Sequence, residues 1–165
     1  MQKNEAIICH GRRVTYRDLD EQVTRLGHAL LEQGVRQGDK VLIFMPNVVE
    51  FVVSYFAIQR IGAIVVPVNA KLTLPEVEYV AQHAEARAII AHEAIFTSVE
   101  NITLVSIKIK TGQVMDGWLN YEMLIQNAST IQLIASSTKM MHLRFYILPV
   151  QQVSLKACSL ATAIF

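Results

Sequence analysis

The sequence predicts an α/β fold, a partial doubly wound and mainly parallel sheet with flanking helices, and three observations carry that expectation. Lys40–Met45 and Ala63–Val68 are short runs, apolar after the leading lysine, separated by a segment of helix length. A third run of the same texture, Ala86–Ala91, follows after another such segment. Strands buried on both faces read as near-continuous apolar runs, and parallel neighbours need a long crossover between them. The first two runs therefore form a βαβ unit with a right-handed connection.

Each element has its own signals. Glu5–Cys9 and Arg13–Val14 flank His10-Gly11-Arg12, the pattern of a short hairpin with a glycine turn. Thr15 with Asp18 is a capping-box spacing that opens a helix, in which Leu19, Val23, Leu26 and Leu30 recur on one face. Gly34 ends that helix, and Gly38-Asp39 turns into the first parallel strand. Pro46-Asn47 stops the strand, with Asn47 expected to cap a helix over about Val48–Ile61 that ends at Gly62. Thr73 with Glu76 repeats the capping box, and Pro75 sits in the first turn, where its missing N–H costs nothing. Val77, Val80, Ala81 and Ala84 give the buried stripe of this helix.

Bulk properties exclude several functions. The hydrophobic fraction is 52%, the charged fraction 18% and the net charge +1, so no electrostatic pull on nucleic acid or anionic lipid is expected. Cys9 and Cys158 lack CxxC or Cys/His company, so neither a disulfide framework nor a metal site is expected. The five histidines are scattered. Pro46, Asn47, Glu50, Gln59 and Arg60 interrupt the apolar region too often for a transmembrane segment, and the start lacks a signal-peptide core. A cytoplasmic location is the expectation.

Sheets of this kind bind ligands at the carboxyl ends of their strands. The loops there hold Asn47, Asn69 and His92. Asn47 reads first as a helix cap, and Asn69 first as a turn residue. No GxGxxG or GxxxxGK[ST] is present, and no nucleophile–base pair can be proposed. The sequence therefore assigns no catalytic, cofactor-binding or metal-binding residue.

The order of motifs from Val14 to Ala91 resembles the N-terminal part of the adenylate-forming (AMP-binding) acyl-CoA synthetases, the family of long-chain fatty-acid–CoA ligases. VTYRDLDEQVTRLGHAL looks like the first helix of that family. The signatures GDKV, MPN, EF, IGA and VPVN follow in the family's order. A weaker likeness returns at Asp116–Asn127, whereas Thr97–Gly112 is less family-like. The resemblance implies joining a fatty or other carboxylic acid to ATP and then to coenzyme A, with ATP, Mg and CoA as cofactors of full-length members. It also implies that residues 1–127 are scaffold. The family grips ATP phosphates with a later loop, T-S-G-T-T-G-K-P-K-G, which is absent here. No cofactor and no activity are expected of these residues alone.

From about Ala128 the texture changes, and no acidic residue follows Glu122. Met140 and Met141 are each ATG, so the last base of one with the first two of the next reads GAT, an Asp. From the Leu143–Arg144 junction onward, allowed codons read one frame over spell T-I-L-Y-T-S-G-T-T-G-K-P-K-G-V. Ala161 to Phe165 can then give H-R-N-I. Residues 128–165 are thus expected to be a tail read out of frame, the frame changing between about Ser129 and Thr138. The competing reading is a genuine extension with strands at Leu143–Val150 and Ala157–Phe165. Two functional readings follow: a truncated synthetase relative, or a non-catalytic binding or oligomerisation module that associates through an exposed sheet edge.

Overall fold

The computed structural model describes residues 4–131 and 133. An antiparallel hairpin, β1 (Glu5–Cys9) and β2 (Arg12–Thr15), leads into α1 (Tyr16–Glu32). There follow β3 (Lys40–Phe44), α2 (Val49–Arg60), β4 (Ile64–Val68), α3 (Leu74–Ala84) and β5 (Ala86–Ala91). A 3-10 helix (Glu93–Ser98), β6 (Ile107–Lys110), β7 (Leu119–Asn120) and α4 (Tyr121–Asn127) complete the described part. The five later strands form one parallel sheet in the order β4-β3-β5-β6-β7. Strands β6 and β7 extend the sheet beyond the three anticipated from apolar runs.

Alternation along β3 divides the core into two layers, because successive side chains point to opposite faces. Val41 and Ile43 face Val23, Leu26 and Leu30 of α1 and Val53, Ala57 and Ile58 of α2. Leu42 and Phe44 face Val77 and Ala81 of α3, with Phe96 and Trp118 beyond. A sheet covered on both faces is what the apolar runs require. Pro67 falls inside β4, and among the described residues β4 is an edge strand, where a proline is tolerated because its N–H is not needed by a neighbour.

The helix signals act as their chemistry dictates. Thr15 and Asp18 complete a reciprocal capping box on α1, as Thr73 and Glu76 do on α3. The Thr73 backbone and hydroxyl both donate to the Glu76 carboxylate at 2.8 Å, and these bonds hold its pKa below the ordinary value. Gly62 ends the α2 segment at φ 75°, a conformation that favours glycine. Arg60 fastens α2 to α1, with Nη2 2.7 Å from Asp20 and Nη1 2.8 Å from the Thr24 hydroxyl.

One cap differs from expectation. The N-cap of α2 is Val48, without a side-chain bond, and Asn47 lies one residue outside it, exposed. The Val48 amide instead closes a tight turn onto the Pro46 carbonyl at 2.9 Å. That turn delays the first helical residue to Val49 and carries Asn47 past the capping position.

Tyr121 opens α4 beneath α2, with its ring buried in the first layer. Its hydroxyl and that of Ser54 are both buried without a completed hydrogen bond among the described residues. Burial raises the Tyr121 pKa, the Ser54 hydroxyl works against that rise, and Glu50 and Glu122 add to it. Below about pH 10 folded and unfolded Tyr121 are both protonated. Above that, the unfolded chain ionises and the folded one resists, so stability falls by up to about 1.4 kcal/mol per pH unit. Tyr121→Phe is expected to lose this part of the alkaline decline while shifting stability at pH 7 by less than about 1 kcal/mol. Urea midpoints of both proteins from pH 7 to 11.5 check it; parallel declines refute it.

Candidate functional site

Strand order locates the crevice that a doubly wound sheet offers to ligands. From β3 the chain moves outward to β4, whereas from β5 it moves the other way to β6. The loops leaving β3 and β5 therefore diverge, which makes their carboxyl ends the topological switch point. The His92 amide donates to the Phe44 carbonyl at 3.0 Å and the Thr111 amide to the Ala91 carbonyl at 3.1 Å, so the mouths of three strands are stitched together.

Each sequence-level candidate at this mouth already has a local position or partner. Asn69 Oδ1 accepts from the Lys71 amide at 3.0 Å and its carbonyl from the Leu72 amide at 3.0 Å, a turn held by the asparagine itself. His92 Nδ1 accepts from the Ala94 amide at 3.1 Å and so caps the 3-10 helix; that bond fixes Nδ1 as the unprotonated nitrogen. The Asn47 carbonyl, not its side chain, accepts from the Cys9 thiol at 3.5 Å. The mouth brings Asn47 and His92 to neighbouring strand ends, while Asn69 sits at the end of the edge strand.

A network that sequence reasoning did not single out lies beside them. The Glu93 amide donates to Thr111 Oγ1 at 3.0 Å, and the Gly112 amide is 3.1 Å from both Glu122 carboxylate oxygens. Asn120 Nδ2 donates to the Gly112 carbonyl at 2.6 Å while its Oδ1 accepts from the Met123 amide at 2.8 Å, capping α4. Lys110 is buried, donates to the Gln113 carbonyl at 2.6 Å, and lies with Nζ 4.9 Å from the Phe96 ring centre. Phe96 meets Trp118 edge to face at 4.8 Å. The visible signals were Thr111-Gly112 after the alternating Ile107–Lys110 run, and Asn120 just ahead of a helix. These groups fix loops. Among the described residues they assemble no nucleophile with its base, and no cluster of three His, Cys, Asp or Glu able to hold a metal. No helix among the described residues is long and apolar enough to cross a membrane.

A family model described as AMP-binding enzyme matches residues 1–165. The chain belongs to that family. Over 111 residues, 67% of this chain and 20% of the relative, it is 35% identical to a 3-oxocholest-4-en-26-oate–CoA ligase of Rhodococcus rhodochrous. Over 82 residues, half of this chain and 16% of the relative, it is 42% identical to a 3-hydroxybenzoate–CoA/4-hydroxybenzoate–CoA ligase of Thauera aromatica. The fold matches the anthranilate CoA ligase AuaEII, solved with anthranoyl-AMP, at TM-score 0.76 and 29% identity, over 81% of this chain and 27% of that one. It also matches a benzoate CoA ligase of Burkholderia xenovorans at TM-score 0.71 and 26% identity. The chain spans about a fifth of the length of the curated relatives it matches. Within this AMP-binding family, the described residues are the mainly parallel sheet and flanking helices of the N-terminal region.

Proposed function

We propose that these residues are the N-terminal scaffold of an ATP-dependent acid–CoA ligase and do not adenylate an acid by themselves. The observation that carries the reading is an asymmetry: the fold match takes 81% of this chain but 27% of AuaEII. In the whole enzyme a fatty or other carboxylic acid is joined to ATP, releasing pyrophosphate, and the acyl group then passes to CoA. ATP, Mg and CoA are cofactors of that whole enzyme, and its location is cytoplasmic. Among the described residues, Asn69 Oδ1 holds its own turn and His92 Nδ1 caps the 3-10 helix, which supports a scaffold role here. The shifted-frame T-S-G-T-T-G-K-P-K-G supplies what is missing, backbone N–H groups and lysines suited to phosphate oxygens. On this reading residues after the frame change are not functional, Lys139, Arg144, Lys156 and Cys158 among them, and they lie outside the described residues.

A second reading has its own observation. Among the described residues strand β4 is an open edge, and α2 beside it carries Phe56 at 45% exposure with Val52 and Tyr55 only partly covered. Open edges and apolar faces are places where another chain adds on. A non-catalytic module that oligomerises there is the alternative. One preparation tests both: purified chain assayed for ATP–pyrophosphate exchange with fatty and aromatic acids, then sedimented across a hundredfold concentration range. The scaffold reading expects no exchange above the blank. Acid-dependent exchange overturns it, and a saturable dimer without exchange moves the module reading ahead.

A further inference from the structure

We infer that residues 128–131 and Leu133 are a strap native to this fold, seated on α1, and that the reading frame changes only after Leu133, within codons 134–138. The second half rests on the frame-change reading above; the first half stands on contacts. Arg25 is held along α1 by Glu21, with Nη2 2.9 Å and Nε 3.1 Å from the carboxylate. Its free edge, Nη1, lies 3.5 Å from each of the Ile125, Gln126 and Ala128 carbonyls, where α4 ends and the strap begins. One turn along, His28 Nε2 donates to the Ile131 carbonyl at 2.7 Å.

Bonds to carbonyls accept any residue, so they do not by themselves separate selected sequence from unselected. Three side chains do. Ala128 is buried at 6% exposure. The Ser129 hydroxyl accepts from the Ile131 amide at 3.2 Å and turns the strap. Leu133 fills the dent made by Gly27: a Cβ at that glycine would stand 2.7 Å from Leu133 Cδ1 and 3.3 Å from Ile61 Cγ2. Glycine inside a helix is unfavourable by about 1 kcal/mol against alanine, so α1 gives up helix stability at the point where Leu133 and α2 come close. Leucine at the dent, serine at the turn and alanine at the buried start form one consistent set. Ile131, between them, is 75% exposed and makes its bond through the backbone alone. In sequence, Leu133 precedes by ten positions Leu143, at whose junction with Arg144 the shifted frame begins T-I-L-Y-T-S-G-T-T-G.

Two experiments test the halves separately. Amide exchange on the present chain, by NMR or mass spectrometry, reads the strap. Leu133→Asp is expected to speed exchange of the Ala128 and Ile131 amides at least tenfold, and Ile131→Asp, at the exposed position, less than twofold. Equal effects, or no protection in the parent, overturn the strap. For the junction, one nucleotide is inserted at codon 128 or at codon 135 in the gene with its downstream DNA. Insertion at codon 135 keeps the strap and is expected to give at least fivefold more soluble protein than insertion at codon 128, which replaces it. Equal or better yield from codon 128 overturns the junction but not the frame change. A stop codon met before T-S-G-T-T-G in both insertions overturns the frame change and the junction with it, while leaving the exchange result for the strap intact.

Discussion

Phe44→Ala is expected to destabilise the domain by about 3–5 kcal/mol, enough to populate the unfolded chain at 37 °C. Phe44 is fully buried at the end of the central strand β3, among the residues that join the sheet to α3 and to Phe96. Its carbonyl receives the His92 amide, so the ring sits where β3 and β5 open toward the crevice. Removing it costs the transfer energy of the ring and leaves a cavity that rigid neighbours, strands on either side and a capped helix above, do not collapse to fill. Leu72→Ala, on the partly covered rim of the same cluster, serves as the comparison and is expected to cost less than half as much. Urea unfolding followed by circular dichroism measures both. A Phe44→Ala loss below about 1.5 kcal/mol shows that this layer is loosely packed and that the sheet does not depend on it.

The parts of this fold that were legible share one property: their local chemistry and their burial agree. Thr15/Asp18 and Thr73/Glu76 need only their own helix to make a capping box, so sequence spacing sufficed. The runs at β3 and β5 are apolar because both faces are covered, and no other role suits them. Strand β6 was hidden because Ile107, Lys108, Ile109 and Lys110 alternate, as if one face met solvent. The lysines instead fold over aromatic rings, Lys108 over Trp118 at 5.7 Å and Lys110 over Phe96 at 4.9 Å. Their stems cover apolar surface while the amines find π faces and a carbonyl, which a hydropathy pattern cannot register. Asn47 failed differently. Its residue type favours a cap, but the three-residue turn from Pro46 to Val48 set the helix start, and that turn depends on where Pro46 emerges from the sheet. At the mouth of the sheet, sequence could name Asn69 and His92 as turn and loop residues. It could not see that Asn120 and Glu122 reach back to Gly112, because that contact exists only once β7 has paired with β6.

That same contact yields the other large effect. Gly112→Val is expected to cost about 3 kcal/mol or more, through two separable causes. Gly112 adopts φ 79°, which a β-branched residue reaches only with strain of about 1–2 kcal/mol or more. A Cβ there would also run into the Glu93 carboxylate. The glycine cannot swing aside, because its amide is bound by Glu122 and its carbonyl by Asn120. Gly112→Ala isolates the backbone part when Glu93 is also shortened. The Glu93→Ala, Gly112→Ala double variant is expected to recover about 1–2 kcal/mol relative to the sum of the single changes, leaving the left-handed strain in place. Strict additivity would mean that Glu93 simply rotates away from residue 112, and the packing of this loop would then rest on Asn120 and Glu122 alone. Because Asn120 and Tyr121 also open α4, loss of the Gly112 loop is expected to loosen α4 against α1. Faster amide exchange at Met123, whose N–H depends on the Asn120 cap, would register that transmission directly.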